Sequence, residues 1–155
     1  SARIAREILR RLRVSTVGAD PNRTATLVEN HMFCQKPDFA DRAIRRFIRK
    51  IGVDLLDLQI DLRIADNLGG RPDARIGLPL AMRERVKRIL SEKPAFGLKD
   101  LAVNGRNIVE ELGIPAGPEI GRILSYLLEM VLDEQEKNAK RVLIEAAKEI
   151  RAVKI

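Results

Sequence analysis

Apolar residues recur at intervals of three and four positions along almost the whole chain, and this spacing constrains the fold more than any other feature. Such spacing places the residues on one face of an α-helix, whereas a half-buried strand needs strict alternation, of which no segment gives a strong signal. The sequence therefore predicts an all-α fold, a multi-helix bundle of about seven to eight helices. The predicted helices begin at residue 2 and cover about 21–33, 38–51, 53–68, 79–92, 104–112, 118–132 and 136–153.

Several helix ends carry local signals. Asp20 is suited to the N-cap position and Pro21 to the first helical position of the second helix. Gly113 is suited to the end of the helix over 104–112. The first helix, by contrast, begins at residue 2 without a clear cap, and we expect from this that the sequence continues a longer protein.

The segment over 53–68 has apolar side chains around most of its circumference, so we expect a central helix that is buried on several sides. Gly69 and Gly70 end this helix, and residues 68–77 are predicted to form a loop. A domain or subdomain boundary is expected at this loop.

The chain carries an excess of positive charge. It has 29 Lys and Arg against 22 Asp and Glu, a formal net charge of +7, which favours an anionic partner. No apolar run approaches the roughly 20 residues of a spanning helix, so a membrane is not expected as a partner. Aromatic residues are few and scattered, so any RNA contact should involve phosphate and shape. The single cysteine, Cys34, cannot form an internal disulfide, which agrees with a cytoplasmic location.

The third predicted helix has the clearest separation of charge. Its apolar residues share one face, and a basic set shares the opposite face. This pattern has two interpretations, an ordinary solvated surface or a ridge that faces phosphate groups. The apolar set is Ala40, Ile44, Phe47, Ile48 and Ile51, and the basic set is Arg42, Arg45, Arg46, Arg49 and Lys50.

Residues suited to catalysis are scarce. With one histidine, His31, and one cysteine, a zinc site of the usual kind is nearly excluded, and no Gly-rich phosphate loop is present. Asp54, Asp57 and Asp61 share a helical stripe, with Asp66 further along. These carboxylates either form a cation site or, in the interpretation we favour, pair with basic helices or face solvent.

The turn before residue 118 also has two interpretations. Gly117 and Pro118 begin a helix, so backbone N–H groups at its N-terminus are suited to hold a phosphate, with Arg106 and Arg122 nearby. The alternative, which we favour, is a tight helix–helix turn in which Gly121 allows close packing.

Several of these segments resemble one known family. The motifs LKDLAVNGRNI at 98–108, LGIPAGPEIGRIL at 112–124 and LLEMVL at 127–132 resemble the C-terminal region of bacterial-type tRNA nucleotidyltransferases, which include CCA-adding enzymes and poly(A) polymerases. LVENHM at 27–32, RRFIRKIG at 45–52 and LRIAD at 62–66 resemble the end of the HD-related helical body of the same family. The resemblance spans nearly the whole chain.

The resemblance implies that the chain has two parts and that catalysis takes place in other domains of the enzyme. Residues 1–70 would be the end of the HD-related body and residues 71–155 the helical tail, which grips tRNA in such enzymes. The head and neck, which hold metal-binding carboxylates and select ATP or CTP, have no counterpart in the sequence. We therefore expect no cofactor in this chain, and Mg²⁺ with ATP or CTP in the whole enzyme. His31 and Asp66 match positions in the resembling segments, but the His-Asp dipeptide of HD hydrolases is absent, and His31 is expected to cap or pack beside Met32 at a helix end.

Three functional hypotheses follow. The leading one is a non-catalytic module that holds tRNA for nucleotide addition elsewhere in the protein. The second is a structural module whose first helix, with Ile4, Ile8 and Leu12 exposed, packs on the missing N-terminal domains or on another copy. The third, a stand-alone enzyme, lacks a credible metal or acid–base cluster. The RNA-binding candidates are Arg42, Arg45, Arg46, Arg49 and Lys50, with Lys99, Arg106 and Arg122 as weaker ones.

Overall fold

The computed structural model describes residues 1–18, 20–33, 40–70 and 76–153. These residues form α-helices and short 3-10 turns without any β-strand, so the predicted all-α fold is confirmed. None of the helices within these ranges is both long enough and apolar enough to cross a membrane. Eight α-helices lie in the described residues: α1 (Ala2–Arg11), α2 (Pro21–Asn30), α3 (Asp41–Ile51), α4 (Leu56–Gly70), α5 (Gly77–Ser91), α6 (Gly105–Leu112), α7 (Pro118–Asp133) and α8 (Lys140–Ala152).

The predicted local signals at three helix ends are confirmed. Helix α2 begins at Pro21, and the Asn22 backbone N–H donates to the Asp20 carboxylate over 2.8 Å. Helix α7 begins at Pro118. Helix α6 ends at Gly113, whose φ of 62° lies in the left-handed region that glycine adopts without steric penalty.

The chain divides into two compact units, Ser1–Ile89 and Leu90–Ile155, named unit 1 and unit 2 below. This division does not test the family-based boundary predicted between residues 70 and 71, which stays a prediction. Of the predicted loop over 68–77, residues 71–75 lie outside the described residues, as does Cys34.

The core of unit 1 is built from one face of each of several amphipathic helices. Burial of each large aliphatic side chain contributes about 1.5 to 3 kcal/mol, so these faces hold the helices together. Helix α1 is the exception, since it buries no residue completely. The buried apolar residues of unit 1 are Ala25, Phe33, Ile44, Ile48, Ile51, Leu55, Leu56, Ile60, Met82, Val86 and Ile89.

Helix α4 corrects one expectation. Leu56, Gln59 and Ile60 are its buried residues, whereas Leu58 and Leu68 are more than half exposed. The prediction of a central helix buried on several sides is therefore wrong, because apolar residues all around a helix do not themselves decide which side is covered. Residues 68–70, predicted to open the following loop, are helical, and residue 71 lies outside the described residues.

Unit 2 has a continuous core formed by α6, α7, α8 and the segments between them. Two capping arrangements fix its helix starts and turns. The Asn104 and Asn107 side chains each accept a hydrogen bond from the other residue's backbone N–H, which caps α6, and the Asp100 carboxylate accepts from the Gly97 N–H. The buried core residues are Ala95, Leu101, Val103, Ile108, Ile114, Ile120, Ile123, Leu127, Leu128, Val131, Leu132, Leu143, Ile144, Ala147 and Ile150.

Candidate nucleic-acid interface

Helix α3 presents most of its basic residues to solvent. Ile44, Ile48 and Ile51 are buried at spacings of four and three residues, which turns the opposite side of the helix outward. Four of the five predicted basic residues lie on that exposed side, and we call them the α3 basic face: Arg42, Arg46, Arg49 and Lys50.

The prediction that Arg45 lies on the exposed basic ridge is wrong. Its exposed fraction is only 9%, so it is not part of the solvent-facing surface. Arg45 follows Ile44 directly, and a rotation of 100° per residue puts it at the edge of the apolar face, where neighbouring elements cover it. The long aliphatic stem of arginine tolerates such a position.

Asp41, at the start of α3, joins that helix to α5. The Arg85 guanidinium donates to one carboxylate oxygen of Asp41 and the Arg88 guanidinium donates to the other, each over 2.6 Å. The hydrogen bond from Arg85, and to a lesser extent that from Arg88, lowers the pKa of the Asp41 carboxyl, while partial burial opposes this effect. No role for these three residues was predicted from the sequence. The available signal was the i, i+3 spacing of Arg85 and Arg88, which places both on one side of α5.

The acidic stripe of the 53–68 segment also pairs with arginines. The Arg23 guanidinium lies 2.7 Å from the Asp54 carboxylate. The Arg83 side chain donates to Asp61 and lies 3.9 Å from Asp57. The preferred prediction, pairing with basic helices, is therefore confirmed.

A cation site is not supported at this stripe. Carboxylates that arginines already engage do not fit a Mg²⁺ site, which needs converging oxygen ligands. Over the part of the chain that the structure describes, no three or more His, Cys, Asp and Glu residues are grouped so as to hold a metal ion. Asp66 pairs with Arg63 on its own helix, over 3.0 Å.

His31 lies at the end of α2, as predicted. It is the C-cap residue, and its Nδ1 atom lies 2.6 Å from the Val28 carbonyl oxygen. The neighbouring Met32 sulfur accepts a hydrogen bond from Arg63 over 3.3 Å. These contacts give His31 a local structural role.

The weaker candidates all lie in unit 2. Lys99 is exposed in a short 3-10 turn, and Arg122 is exposed on α7. Arg106 is exposed and pairs with Glu110 on its own helix, over 2.8 Å. No contact joins these three side chains into one cluster among the interactions of the described residues.

The glycines near the start of α7 differ from the expectation. A Cβ atom at Gly121 would meet no atom within 4 Å, so the idea that Gly121 allows close packing is wrong. The close approach is at Gly105, where a Cβ atom would lie 3.3 Å from the Ile120 side chain. Gly105 is the first residue of α6, and it lets α6 and α7 pack closely.

Positive charge is concentrated in unit 1. Residues 1–89 contain 19 Lys and Arg against 11 Asp and Glu, a formal charge of +8, whereas residues 90–155 contain 10 against 11, a formal charge of −1. An anionic partner is therefore attracted to unit 1 more strongly than to unit 2. By its fold and its net charge, the chain is a basic all-α protein.

Comparison with known proteins identifies the family. Residues 78–147 match the family model of tRNA nucleotidyltransferase domain 2. The chain is 35% identical over 132 residues to an A-adding tRNA nucleotidyltransferase of Deinococcus radiodurans, which is 83% of this chain and 29% of that protein. It is 35% identical over 75 residues to a CCA-adding enzyme of Leuconostoc citreum, which is 48% of this chain and 19% of that protein. No solved structure matches the chain.

The chain belongs to the tRNA nucleotidyltransferase family, as the resemblance implied. It spans less than a third of the length of these two relatives. The activity, the substrates and the partners of a whole enzyme are therefore matters for proposal.

Proposed function

We propose that this chain holds tRNA for nucleotide addition that takes place elsewhere in the same protein. The observation that carries the proposal is the similarity to an A-adding tRNA nucleotidyltransferase, whose name states an action on tRNA, and to a CCA-adding enzyme. Mg²⁺ and ATP or CTP would act in the catalytic domains, and no catalytic step is assigned to the residues described above. A cytoplasmic location remains a prediction that follows from tRNA as the partner.

The α3 basic face is the proposed point of contact with the RNA backbone. Exposed cations on one side of a rigid helix bind phosphates without reading bases, which suits a protein that must hold many tRNAs. The charge distribution supports unit 1 over unit 2 for this role, since unit 1 carries the whole positive excess. Arg45 is omitted from the proposed contacts because of its burial.

A triple variant tests the proposal. Arg42→Ala, Arg46→Ala and Lys50→Ala together should weaken binding of a full-length tRNA and reduce the magnitude of the slope of log affinity against log salt by about two to three, since each phosphate contact contributes about 0.7 to 0.9. The matched control removes the same charge from unit 2 through Lys99→Ala, Arg106→Ala and Arg122→Ala.

Affinities are measured at two salt concentrations with full-length tRNA and with a minihelix that lacks the elbow. A tRNA-holding role predicts preference for the full-length tRNA, and a greater loss in the α3 variant than in the unit 2 control. Equal losses in both variants would mean that net charge, and not the α3 basic face, drives binding. Absence of binding by the unmodified chain at low salt would refute the RNA-holding function.

A second candidate function is supported by α1. Its apolar stripe is left uncovered, with exposed fractions of 53% for Ile4, 47% for Ile8 and 68% for Leu12. Such a stripe is suited to packing on other domains of the protein or on another copy of the chain. Self-association would appear as a concentration-dependent mass in light scattering. Ile8→Asp should then abolish it, whereas the control Leu68→Asp, at another exposed leucine, should not.

A further inference from the structure

Helix α1 carries a line of arginines. Arg3, Arg6 and Arg10 are spaced by three and four residues, so the helical rotation of 100° per residue places them within about 60° of one another around the helix. Arg13 follows after three further residues, directly beyond the C-cap residue Leu12. We call these four arginines the α1 arginine stripe. Three of them are exposed, and Arg6 is half-buried.

The α1 arginine stripe is separate from the exposed apolar stripe of the same helix. Helix α1 packs against α2, and the half-buried Ala5 and Leu9 mark the side that faces α2. Around the helix, Ile4 and Ile8 lie to one side of this sector, and the arginines lie to the other. A partner can therefore contact the arginines without touching the apolar stripe.

The positive charge of α1 is not balanced by nearby carboxylates. Residues 1–13 contain five arginines and one acidic residue, Glu7, a formal charge of +4, which is half of the +8 of unit 1. Among the interactions of the described residues, no ion pair or side-chain hydrogen bond involves the four guanidinium groups of the stripe. Arg23 and Lys87 of the same unit, by contrast, each pair with a carboxylate, over 2.7 Å and 2.9 Å.

Two members of the stripe occupy positions where arginine does not favour folding. Arg3 lies in the first turn of α1, where the helix dipole favours acidic residues and none is present. Arg13 has a φ of 49°, in the left-handed region, where a Cβ atom costs energy. The Arg13 carbonyl accepts hydrogen bonds from the Thr16 N–H and hydroxyl, over 3.0 Å and 2.8 Å, which hold this turn. The helix dipole accounts for Arg10, in the last turn, but stability does not explain arginine at the other two positions.

We propose that the α1 arginine stripe is a binding surface for the phosphodiester backbone of RNA, in addition to the α3 basic face. This inference rests on the proposed RNA-holding function and adds a contact surface to it. From Arg3 to Arg10 the stripe extends over about 10 Å along the helix, at 1.5 Å per residue. Guanidinium groups match the geometry of phosphate oxygens, and a line of them suits a polymer that carries an anion at every unit. Such contacts hold RNA without reading its bases.

The double variant Arg3→Ala, Arg10→Ala tests this surface and leaves the half-buried Arg6 in place. It should bind full-length tRNA more weakly at low salt, and the slope of log affinity against log salt should fall in magnitude by about 1.4 to 1.8, since each phosphate contact contributes about 0.7 to 0.9. The matched control is Arg23→Ala with Lys87→Ala, which removes the same charge from ion pairs of unit 1. Its slope should change by less than half as much.

The Arg13→Gly variant is a second test, because folding and binding should respond differently. Glycine adopts the left-handed region without steric penalty, so the melting midpoint should stay the same or rise. The affinity for tRNA should nevertheless fall, and the salt slope should decrease in magnitude by about 0.7 to 0.9. Unchanged affinity and slope would overturn the part of the proposal that concerns Arg13.

Further measurements separate direct contact from net charge and from other partners. Arg3→Lys with Arg10→Lys keeps both charges and should retain most of the slope, and thermal melting checks that every variant is folded. Equal slope changes in the double alanine variant and its matched control would overturn the surface, because net charge would then explain binding. If the double alanine variant loses binding of polyglutamate but keeps that of tRNA, the partner of the stripe is an acidic polypeptide, and the proposal is wrong.

Failure of this inference is distinguishable from failure of the proposed function. If tRNA binding depends on the α3 basic face and is unchanged in the double alanine variant of α1, the RNA-holding function stands and the α1 surface is refuted. If the unmodified chain binds no tRNA at low salt, the RNA-holding function itself fails, and this inference fails with it.

Discussion

Gly113, at the end of α6, and Gly121, within α7, should respond in opposite directions to replacement by alanine. Gly113 has a φ of 62°, in the left-handed region, where a Cβ atom costs about 1 to 2 kcal/mol. Gly121 is exposed within α7, has no positive φ, and would place its Cβ atom in open space. Alanine at that position should stabilise unit 2 by about 0.5 to 1 kcal/mol through helix propensity.

The expected shifts are large enough to measure. For a unit of the size of Leu90–Ile155, about 1 kcal/mol corresponds to about 4 to 8 °C in the melting midpoint. Gly113→Ala should therefore lower the midpoint by at least about 4 °C, and Gly121→Ala should raise it by about 2 to 8 °C. Gly105→Ala is a third case, because its Cβ atom would press on the Ile120 side chain at 3.3 Å, and this contact should cancel the gain in propensity.

The assay is thermal unfolding of the full chain, followed by far-UV circular dichroism and by tyrosine fluorescence. The chain has one tyrosine, Tyr126, and no tryptophan, so this fluorescence reports on unit 2 alone. If Gly113→Ala melts at or above the midpoint of Gly121→Ala, the argument from backbone handedness is wrong.

Three further predictions concern stability. The pKa of Asp41 is lowered in the folded state, so its ion pairs should stabilise the fold above the ordinary aspartate pKa of about 4. This stabilisation should be lost as the pH falls through the lowered pKa. The difference in urea midpoint between the unmodified chain and Asp41→Asn should therefore shrink on acidification. Asn104→Ala should lower the free energy of unfolding by about 1 kcal/mol in urea denaturation, because it removes the acceptor for the Asn107 N–H, and an unchanged midpoint would argue against the cap. Ile108→Ala should cost about 2 to 5 kcal/mol because Ile108 is fully buried, whereas Ile8→Ala should change stability by less than about 0.5 kcal/mol, and similar losses in both would contradict the assigned burial.

The helices could be predicted from the sequence because their signals are local. Pro21 and Pro118 sit at helix starts, and Gly113 ends a helix, through steric effects that act within a few residues. The apolar face of α3 was equally clear, since Ile44 and Ile48 repeat at one turn.

The parts of the site that depend on helix packing could not be predicted in this way. Arg45 lies at the edge of an apolar face, and only the neighbouring elements decide whether such an edge is covered. Asp41 pairs with Arg85 and Arg88 across 44 and 47 residues of sequence, a distance over which helical periodicity carries no information. Close helix packing was predicted at Gly121, but the structure shows it at Gly105, because a glycine-rich motif does not show which glycine faces the neighbouring helix.

The uneven charge of the two units has a consequence for how an encounter begins. A polyanion attracts residues 1–89, which carry a formal charge of +8, whereas residues 90–155, with a formal charge of −1, experience almost no net force. Approach is thus directional before any surface is touched, and salt should slow association chiefly through unit 1. Contacts made later by unit 2 would have to come from shape and hydrogen bonding, and they should depend much less on ionic strength.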